Sequence, residues 1–304
     1  MNRSCLMKFF KPLRNIKLCL IKIFFWQPLK AKSFRRWVFD SSPKNTLMIS
    51  NAKNENFIIS SQDKTIAREL YITKEYDLSK LETALKILKF DKLDSLLIDV
   101  GANIGTICIP AIKRNYFSKA IAIEPDPINF NLLKANIYLN DLGDEIDTYN
   151  CALGEKAEED LILELSESNF GDHRIRRGSP EEEIDQFNKR NIQVKSKSID
   201  SMFQYDSNQQ VLLWMDTQGY EGYILAGASN LLSNRIPIVV EFWPYGMMRA
   251  NSYLKLKAAL ISAGYQTFYK LDGDIVQEKL SEAALDALWS KIGETGKFTD
   301  LLII

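Results

Sequence analysis

Residues 96–127 read L-L-I-D-V-G-A-N-I-G-T-I-C-I-P-A-I-K-R-N-Y-F-S-K-A-I-A-I-E-P-D-P, and this stretch decides the fold. Ser95–Val100 is a run of the kind buried on both faces of a sheet. Gly101 and Gly105 then mark a turn, and Ile104, Ile107, Cys108 and Ala111 continue as an apolar helix. A second apolar run, residues 120–123, ends on Glu124. Strand, glycine turn, helix, strand and acid form the pattern of a parallel βαβ nucleotide-binding unit.

The chemistry follows from that geometry. Asp99 and Glu124 fall at the carboxyl ends of neighbouring parallel strands, where such sheets gather their ligand groups. About 25 residues separate them, room for one helix and one strand, so Glu124 can reach a ribose diol held over the turn. The expectation for Gly101 is that a side chain there would block the ligand, and for Gly105 that it lets the helix pack close. The turn reads G-A-N-I-G with Asn103 inside it. It is neither the G-x-G-x-x-G of a dinucleotide site nor a G-K-[ST] phosphate loop. Asp99 would repel a pyrophosphate but suits a ligand with an amino group and a positive charge.

Further along, residues 211–215 form another buried run that delivers Asp216, and residues 235–240 form a third that delivers Glu241. In a doubly wound sheet the strand before Asp216 lies beside the first, so Asp216 faces the same crevice as Asp99. Glu221 follows one helical turn later. The stretch N-F-G-D-H-R-I at 169–175 opens a long irregular insertion that holds the one histidine of the chain, His173. Long loops in compact domains tend to be functional or disordered. His173 titrates nearest neutral pH, which makes it the best proton acceptor on intrinsic grounds, although its charged neighbours suit a surface residue equally well.

D-V-G-A-N-I-G followed by E-P-D-P resembles the S-adenosylmethionine site of class I methyltransferases, and specifically of the FkbM family. A-L-G-E at 152–155, S-I-D-S-M-F at 198–203 and M-D-T-Q-G-Y-E-G-Y-I-L-A-G-A at 215–228 resemble that family in the same order. The resemblance covers roughly residues 50–304. It implies an α/β fold with a doubly wound, seven-stranded Rossmann-like sheet closed by a hairpin-like pair of last strands. It implies S-adenosyl-L-methionine as cofactor, held by Asp99, Gly101, Ala102, Asn103, Gly105, Glu124, Pro125, Cys151 and Ala152. The implied reaction is methyl transfer to a hydroxyl of a sugar, glycan or other small natural product, with Asp216, His173, Glu221 and Glu241 as candidate catalytic residues. No metal is assigned. Two rivals stay open: a nucleoside-binding or tethering domain without turnover, and an NAD-dependent dehydrogenase, which the missing third glycine and Asp99 disfavour.

The zero net charge conceals an asymmetry. Residues 1–39 carry ten Lys and Arg and no acid, leaving 29 bases against 39 acids in the rest. A net acidic domain argues against a nucleic-acid partner. The division expected is a basic N-terminal segment, residues 1–45, before a methyltransferase-like domain, residues 46–304. Residues 7–38 mix aromatic and basic side chains, and Lys22 interrupts an apolar run too short to span a bilayer. Such a segment suits either peripheral contact with an anionic membrane or packing against the domain. Cys5, Cys19, Cys108 and Cys151 form no C-x-x-C pair, as expected of reduced thiols in a cytoplasmic protein. Two short pieces, F-I-I-S and I-A-R-E-L-Y-I, suggest an entry hairpin over residues 56–72, and Leu78–Leu88 has helical spacing and reads as scaffold.

Overall fold

A computed structural model describes residues 30–90, 93–176 and 190–304. Most of the basic aromatic N-terminal segment lies outside the described residues. Its end is a helix, Lys32–Ser41, that packs on the body of the protein. Phe39 is fully buried there, and the Arg35 guanidinium donates to the carbonyl of Ile72 at 2.8 Å. No described helix is long and apolar enough to cross a membrane.

The chain enters through an antiparallel hairpin, β1 (Leu47–Asn51) and β2 (Asn56–Ser60). The second piece expected in a hairpin is instead a helix, Ile66–Thr73. Asp63 explains the difference: its carboxylate accepts from the amides of Thr65, Ile66 and Ala67 at 3.0, 3.2 and 2.9 Å, and a capped first turn commits the segment to helix. Ile66, Ala67, Leu70 and Tyr71 then bury one face. The helix Leu78–Leu88 forms as its spacing predicts.

The central sheet is assembled from β3 (Ser95–Val100), β4 (Lys119–Ile123) and β5 (Ile146–Tyr149). A side layer then intervenes, made of β6 (Ala152–Leu153), β7 (Asp160–Leu165), β8 (Arg174–Ile175) and β9 (Arg190–Lys197), in the order β6-β9-β7-β8. The main sheet resumes with β10 (Gln210–Met215), β11 (Ile238–Phe242), β12 (Thr267–Lys270), β13 (Val276–Lys279) and β14 (Thr299–Ile303). Its order is β13-β12-β14-β11-β10-β3-β4-β5. β10, β3, β4, β5 and β11 are parallel, and β14 enters antiparallel between β11 and β12. This is a doubly wound α/β sheet with seven strands as expected and an eighth, β13, added at the edge. V-Q-E-K of β13 is mostly exposed and polar, which hid it in the sequence.

Alternate side chains of the central strands feed two cores. Ile98, Val100, Leu213 and Val240 face one, where the helix Tyr253–Ser262 contributes Leu256 and Leu260. Leu97, Leu212 and Val239 face the other, with Leu78 and Leu81 of the helix before β3. Burial on both faces is why these strands read as continuous apolar runs. Glu241 lies inside β11 instead of beyond it, because antiparallel pairing with β14 extends the strand to Phe242 and sets Glu241 opposite Asp300.

β3 and β10 come closest where their chains turn. Gly101 has φ +82°, and a Cβ built on it would meet the Asp216 carbonyl oxygen at 2.0 Å. The side chain is excluded by the neighbouring strand's backbone, where the sequence suggested exclusion by a ligand. Gly101→Ala is therefore expected to destabilise the protein by roughly 2–4 kcal/mol, combining a left-handed backbone with a clash. Gly264→Ala, at φ +77° with nothing within 4 Å, carries only the backbone term and should cost about 1 kcal/mol. Urea denaturation of the two variants checks this, and equal costs would contradict it.

Candidate functional site

At the carboxyl ends of β3, β4, β10 and β11 the chain encloses a cavity of about 380 Å³. Its two ends differ in chemistry. One end is built by the turn after β3 and by Glu124. The other is built by Asp216, Gln218, Glu241, Trp243 and Asp300.

At the first end, the turn is held in place by side chains. Glu124 accepts from the Asn103 amide through Oε2 and from the Asp126 amide through Oε1, both at 2.9 Å. Asn103 takes φ +51°, a conformation that Asn tolerates better than most residues, and its Oδ1 accepts from the amide of Ile104. Asp99 Oδ2 accepts from the Cys108 amide at 3.1 Å. Asp126 caps the helix Pro127–Leu139, accepting from Ile128 and Asn129, as its position before Pro127 predicts. Pro125, Cys151 and Ala152 line the cavity beside Glu124, and Gly105 does not. Gly105 lies behind the turn against Ile109 and Leu133.

A strap crosses this end. The Phe170 carbonyl accepts from the side-chain amides of Asn103 and Asn129 at 2.8 and 3.1 Å. His173 belongs to the strap. Its Nδ1 accepts from the Ser166 amide at 3.0 Å, and its Nε2 lies 3.6 Å from Asp126 Oδ2. An Nδ1 that accepts a hydrogen bond carries no proton, so the neutral ring holds its proton on Nε2 and has no lone pair left for a substrate. The sequence-level choice of His173 as proton acceptor is corrected on this ground: the ring fastens the strap. Arg174, next along, pairs with Asp172 and places its guanidinium 4.7 Å from the Trp243 ring.

At the second end, Asp216 and Glu241 come together as their strands predict. Glu221 does not join them. It is fully buried and turned back into the loop, where Oε1 accepts from the amides of Thr217 and Gly219 and from the Thr217 hydroxyl, at 2.9 to 3.2 Å. A residue one turn along the helix caps the turn that carries Asp216. Lys80 reaches in from the helix Leu78–Leu88 and meets Asp300 at 2.5 Å and Asp77 at 3.3 Å. Tyr76, Asp77, Lys80, Gln218, Trp243 and Asp300 line the cavity and were not singled out in the sequence. Gln218 alone had a local signal, since it sits inside D-T-Q-G-Y-E.

Burial dominates the electrostatics. It pushes Asp99 up to about 7, Glu124 up to about 8 and Asp300 up to about 7. Hydrogen bonds from Cys108 and Asp126 and the charge of Lys80 oppose it at the three sites respectively.

A doubly wound sheet with an acid after each of its first two strands defines a nucleoside-binding protein of the class I methyltransferase type. A Methyltransferase FkbM domain matches residues 99–267, more than half of the chain, and the chain belongs to that family. It is 35% identical over 72 residues to a tRNA(Phe) (4-demethylwyosine(37)-C(7)) aminocarboxypropyltransferase of Pyrococcus horikoshii, covering 24% of this chain and 26% of that protein. It is 29% identical over 93 residues to Methyltransferase sdnD of Sordaria araneosa, covering 30% and 32%. The chain thus matches about a quarter to a third of these relatives' length. A crystal structure of Methyltransferase FkbM from Methylobacillus flagellatus superposes with TM-score 0.45 at 17% identity, covering 78% of this chain and 52% of that one.

The residues present fit the cofactor of this family, S-adenosylmethionine. Glu124 uses one lone pair of each oxygen on a backbone amide and keeps others for a ribose diol. Among the described residues, the two Lys and Arg side chains that line the cavity, Lys80 and Arg174, are each paired with a carboxylate.

An acid whose folded pKa is raised binds more protons folded than unfolded. The stability it contributes is complete below its unfolded pKa and is lost as pH rises through its folded one. For Asp99, Glu124 and Asp300 that window runs from about pH 4 to pH 8. The melting temperature of the ligand-free protein should accordingly fall between about pH 5 and pH 8.5, and Glu124→Gln should flatten the fall. A melting temperature that rises across this range would show that these carboxylates are ionised in the fold at no cost.

Proposed function

We propose that the protein is an S-adenosylmethionine-dependent O-methyltransferase acting on a hydroxyl of an uncharged acceptor, such as a sugar or another small natural product. The observation that carries this reading is one cavity: a ribose-ready carboxylate, Glu124, stands at one end, and the buried Glu241 stands beside the more exposed Asp216 at the other. When bound, the cofactor supplies a methyl group already activated on a sulfonium. The protein's remaining tasks are to orient the acceptor oxygen and to take its proton.

Glu124 binds the ribose hydroxyls, and Asp99, behind the turn, gives the amino-acid end a negative environment. Pro125, Cys151 and Ala152 form the less polar wall beside them. Asn103, pinned by Phe170, keeps the strap over this end and limits access of water. At the acceptor end, Asp216 receives the hydroxyl proton while Trp243 provides a flat surface for a ring. The Trp243 indole N–H is buried without a partner among the described residues, a donor available to an acceptor oxygen.

The charge of the acceptor end bears on substrate class. Asp77, Asp216, Glu241 and Asp300 converge there, and the cations near them among the described residues are already paired, Lys80 with Asp300 and Arg174 with Asp172. An anionic acceptor would meet repulsion from these carboxylates, of which Glu241 and Asp300 are buried. That favours a neutral hydroxyl compound over a nucleic acid such as the tRNA named for one relative. The helix Lys32–Ser41 at the end of the basic N-terminal segment belongs to the packed domain, and the basic residues before it are read as the part that brings the enzyme to an anionic membrane surface.

Glu124→Ala is expected to weaken S-adenosylmethionine binding tenfold to a hundredfold by calorimetry, since charge-assisted hydrogen bonds contribute about 1.5–3 kcal/mol each. Asp216→Asn should abolish turnover with cofactor affinity nearly intact. His173→Ala should keep the wild-type pH profile. Equal cofactor affinities of Glu124→Ala and wild type, or tighter binding of NAD, would remove the methyltransferase reading.

A further inference from the structure

Among the side chains of the cavity, Gln218 has a geometry that the methyl-transfer reading does not require. Its Nε2 donates to Asp216 Oδ1 at 2.8 Å and to Glu241 Oε2 at 3.1 Å. It does so from a backbone at φ +58°, in the left-handed region that a glutamine occupies at a cost of about 1 kcal/mol. Gly219 follows at φ +99°, with its α-carbon pressed against the backbone of Gly246, so the loop cannot relax sideways.

We propose that Gln218 is the positioning residue of the proton-accepting pair: its one amide nitrogen bridges Asp216 and Glu241, holds them as a unit facing the acceptor, and assigns the ionised form to Asp216. The inference rests on the methyl-transfer reading for its purpose but not for its geometry.

The bridge has a definite stoichiometry. A side-chain amide carries two N–H donors, and one goes to each carboxylate, leaving the second oxygen of each toward the cavity. Two oxygens bonded to one nitrogen lie at most about 6 Å apart, and with Glu241 buried two such carboxylates cannot both ionise freely. The surroundings reinforce this. Asp77 before the helix Leu78–Leu88, Asp99 on β3, Glu221 behind the turn and Asp300 on β14 are acidic, Tyr76 is a half-buried phenol, and Lys80 is paired with Asp300. The pair therefore shares a proton near neutral pH, and the shorter bond favours the charge on Asp216.

The titration directions agree with that division. Burial pushes Asp216 up to about 6, with the Gln218 hydrogen bond opposing it. Glu241 is pushed well above the usual carboxylate range by burial and then by the charge of Asp216. In the reaction, the acceptor O–H bond breaks and an O–H bond forms on Asp216. The electron pair left on the acceptor oxygen would make the new C–O bond as the methyl carbon's bond to the sulfonium breaks and its pair returns to sulfur, and the protonated Glu241 would donate a hydrogen bond to the acceptor oxygen.

The test is Gln218→Gly, which removes the amide while suiting the left-handed backbone. In the ligand-free protein, carbon-13 NMR of the aspartate and glutamate carboxyl groups should show Asp216 and Glu241 titrating in separate steps. In Gln218→Gly the Asp216 step should move up by about one pH unit, because the ionised form loses its donor. Thermal stability should be unchanged or higher, where a merely structural glutamine would lower it. Gln218→Asn, too short to reach both carboxylates, should reproduce the shift. With an acceptor, kcat should fall at least tenfold and the acid limb of the pH profile should move up with it, while calorimetry gives wild-type cofactor affinity. Unshifted carboxyl titrations in both variants, or a lowered melting temperature without a shift, would overturn the proposal. The NMR measurement needs neither cofactor nor acceptor, so its failure is distinct from failure of the methyltransferase reading.

Discussion

The approach of β3 to β10 at their carboxyl ends is the constraint from which the site follows. Gly101 turns with its α-carbon against the Asp216 carbonyl, too close for any side chain, and the Asp216 amide donates back to Val100. Two loops that begin at adjacent strands are thereby held at backbone contact. In the proposed reading one carries Ala102 and Asn103 toward a nucleoside, and the other carries Asp216 and Gln218 toward an acceptor. A methyl donor and a methyl acceptor need that adjacency, because transfer depends on near-contact between reacting atoms.

The two ends hold their carboxylates differently. Glu124 is fixed by two backbone amides that belong to its own turn and the one it supports, so its orientation is as rigid as the sheet. Asp216 and Glu241 are fixed by a side chain. Backbone donors suit a group that must only bind, and a side-chain donor can follow a group whose charge changes. The strap over residues 169–176 draws on the same economy of parts: Asn103 serves the turn with its backbone and the strap with its amide, and Asp126 serves both a helix cap and His173.

Much of this was legible in the sequence, and the limits are physical. The βαβ unit and the convergence of Asp99, Glu124, Asp216 and Glu241 follow from strand periodicity, since a parallel sheet carries strand ends to one edge. His173 and Glu221 were chosen by intrinsic chemistry and helical spacing. Their roles were decided by partners distant or folded back, the Ser166 amide for one and the Thr217–Gly219 amides for the other. Lys80 and Asp300 come from a helix read as scaffold and from the last strand, and only the sheet order sets them beside Glu241. Residues 66–72 differ from the hairpin expectation because the β-favouring Ile66, Tyr71 and Ile72 are outweighed by the helix formers Ala67, Arg68, Glu69 and Leu70 and by the capping carboxylate of Asp63.

The central claim is that one cavity holds a methyl donor at the Gly101 turn and an acceptor against Asp216. A crystal structure of the protein with S-adenosylhomocysteine tests it most directly. The predicted result is a ribose on Glu124, a nucleobase beside Cys151 and Ala152, and a sulfur directed toward Asp216 and Gln218. A ligand absent at saturating concentration, or one bound with its sulfur directed away from Asp216, would contradict it.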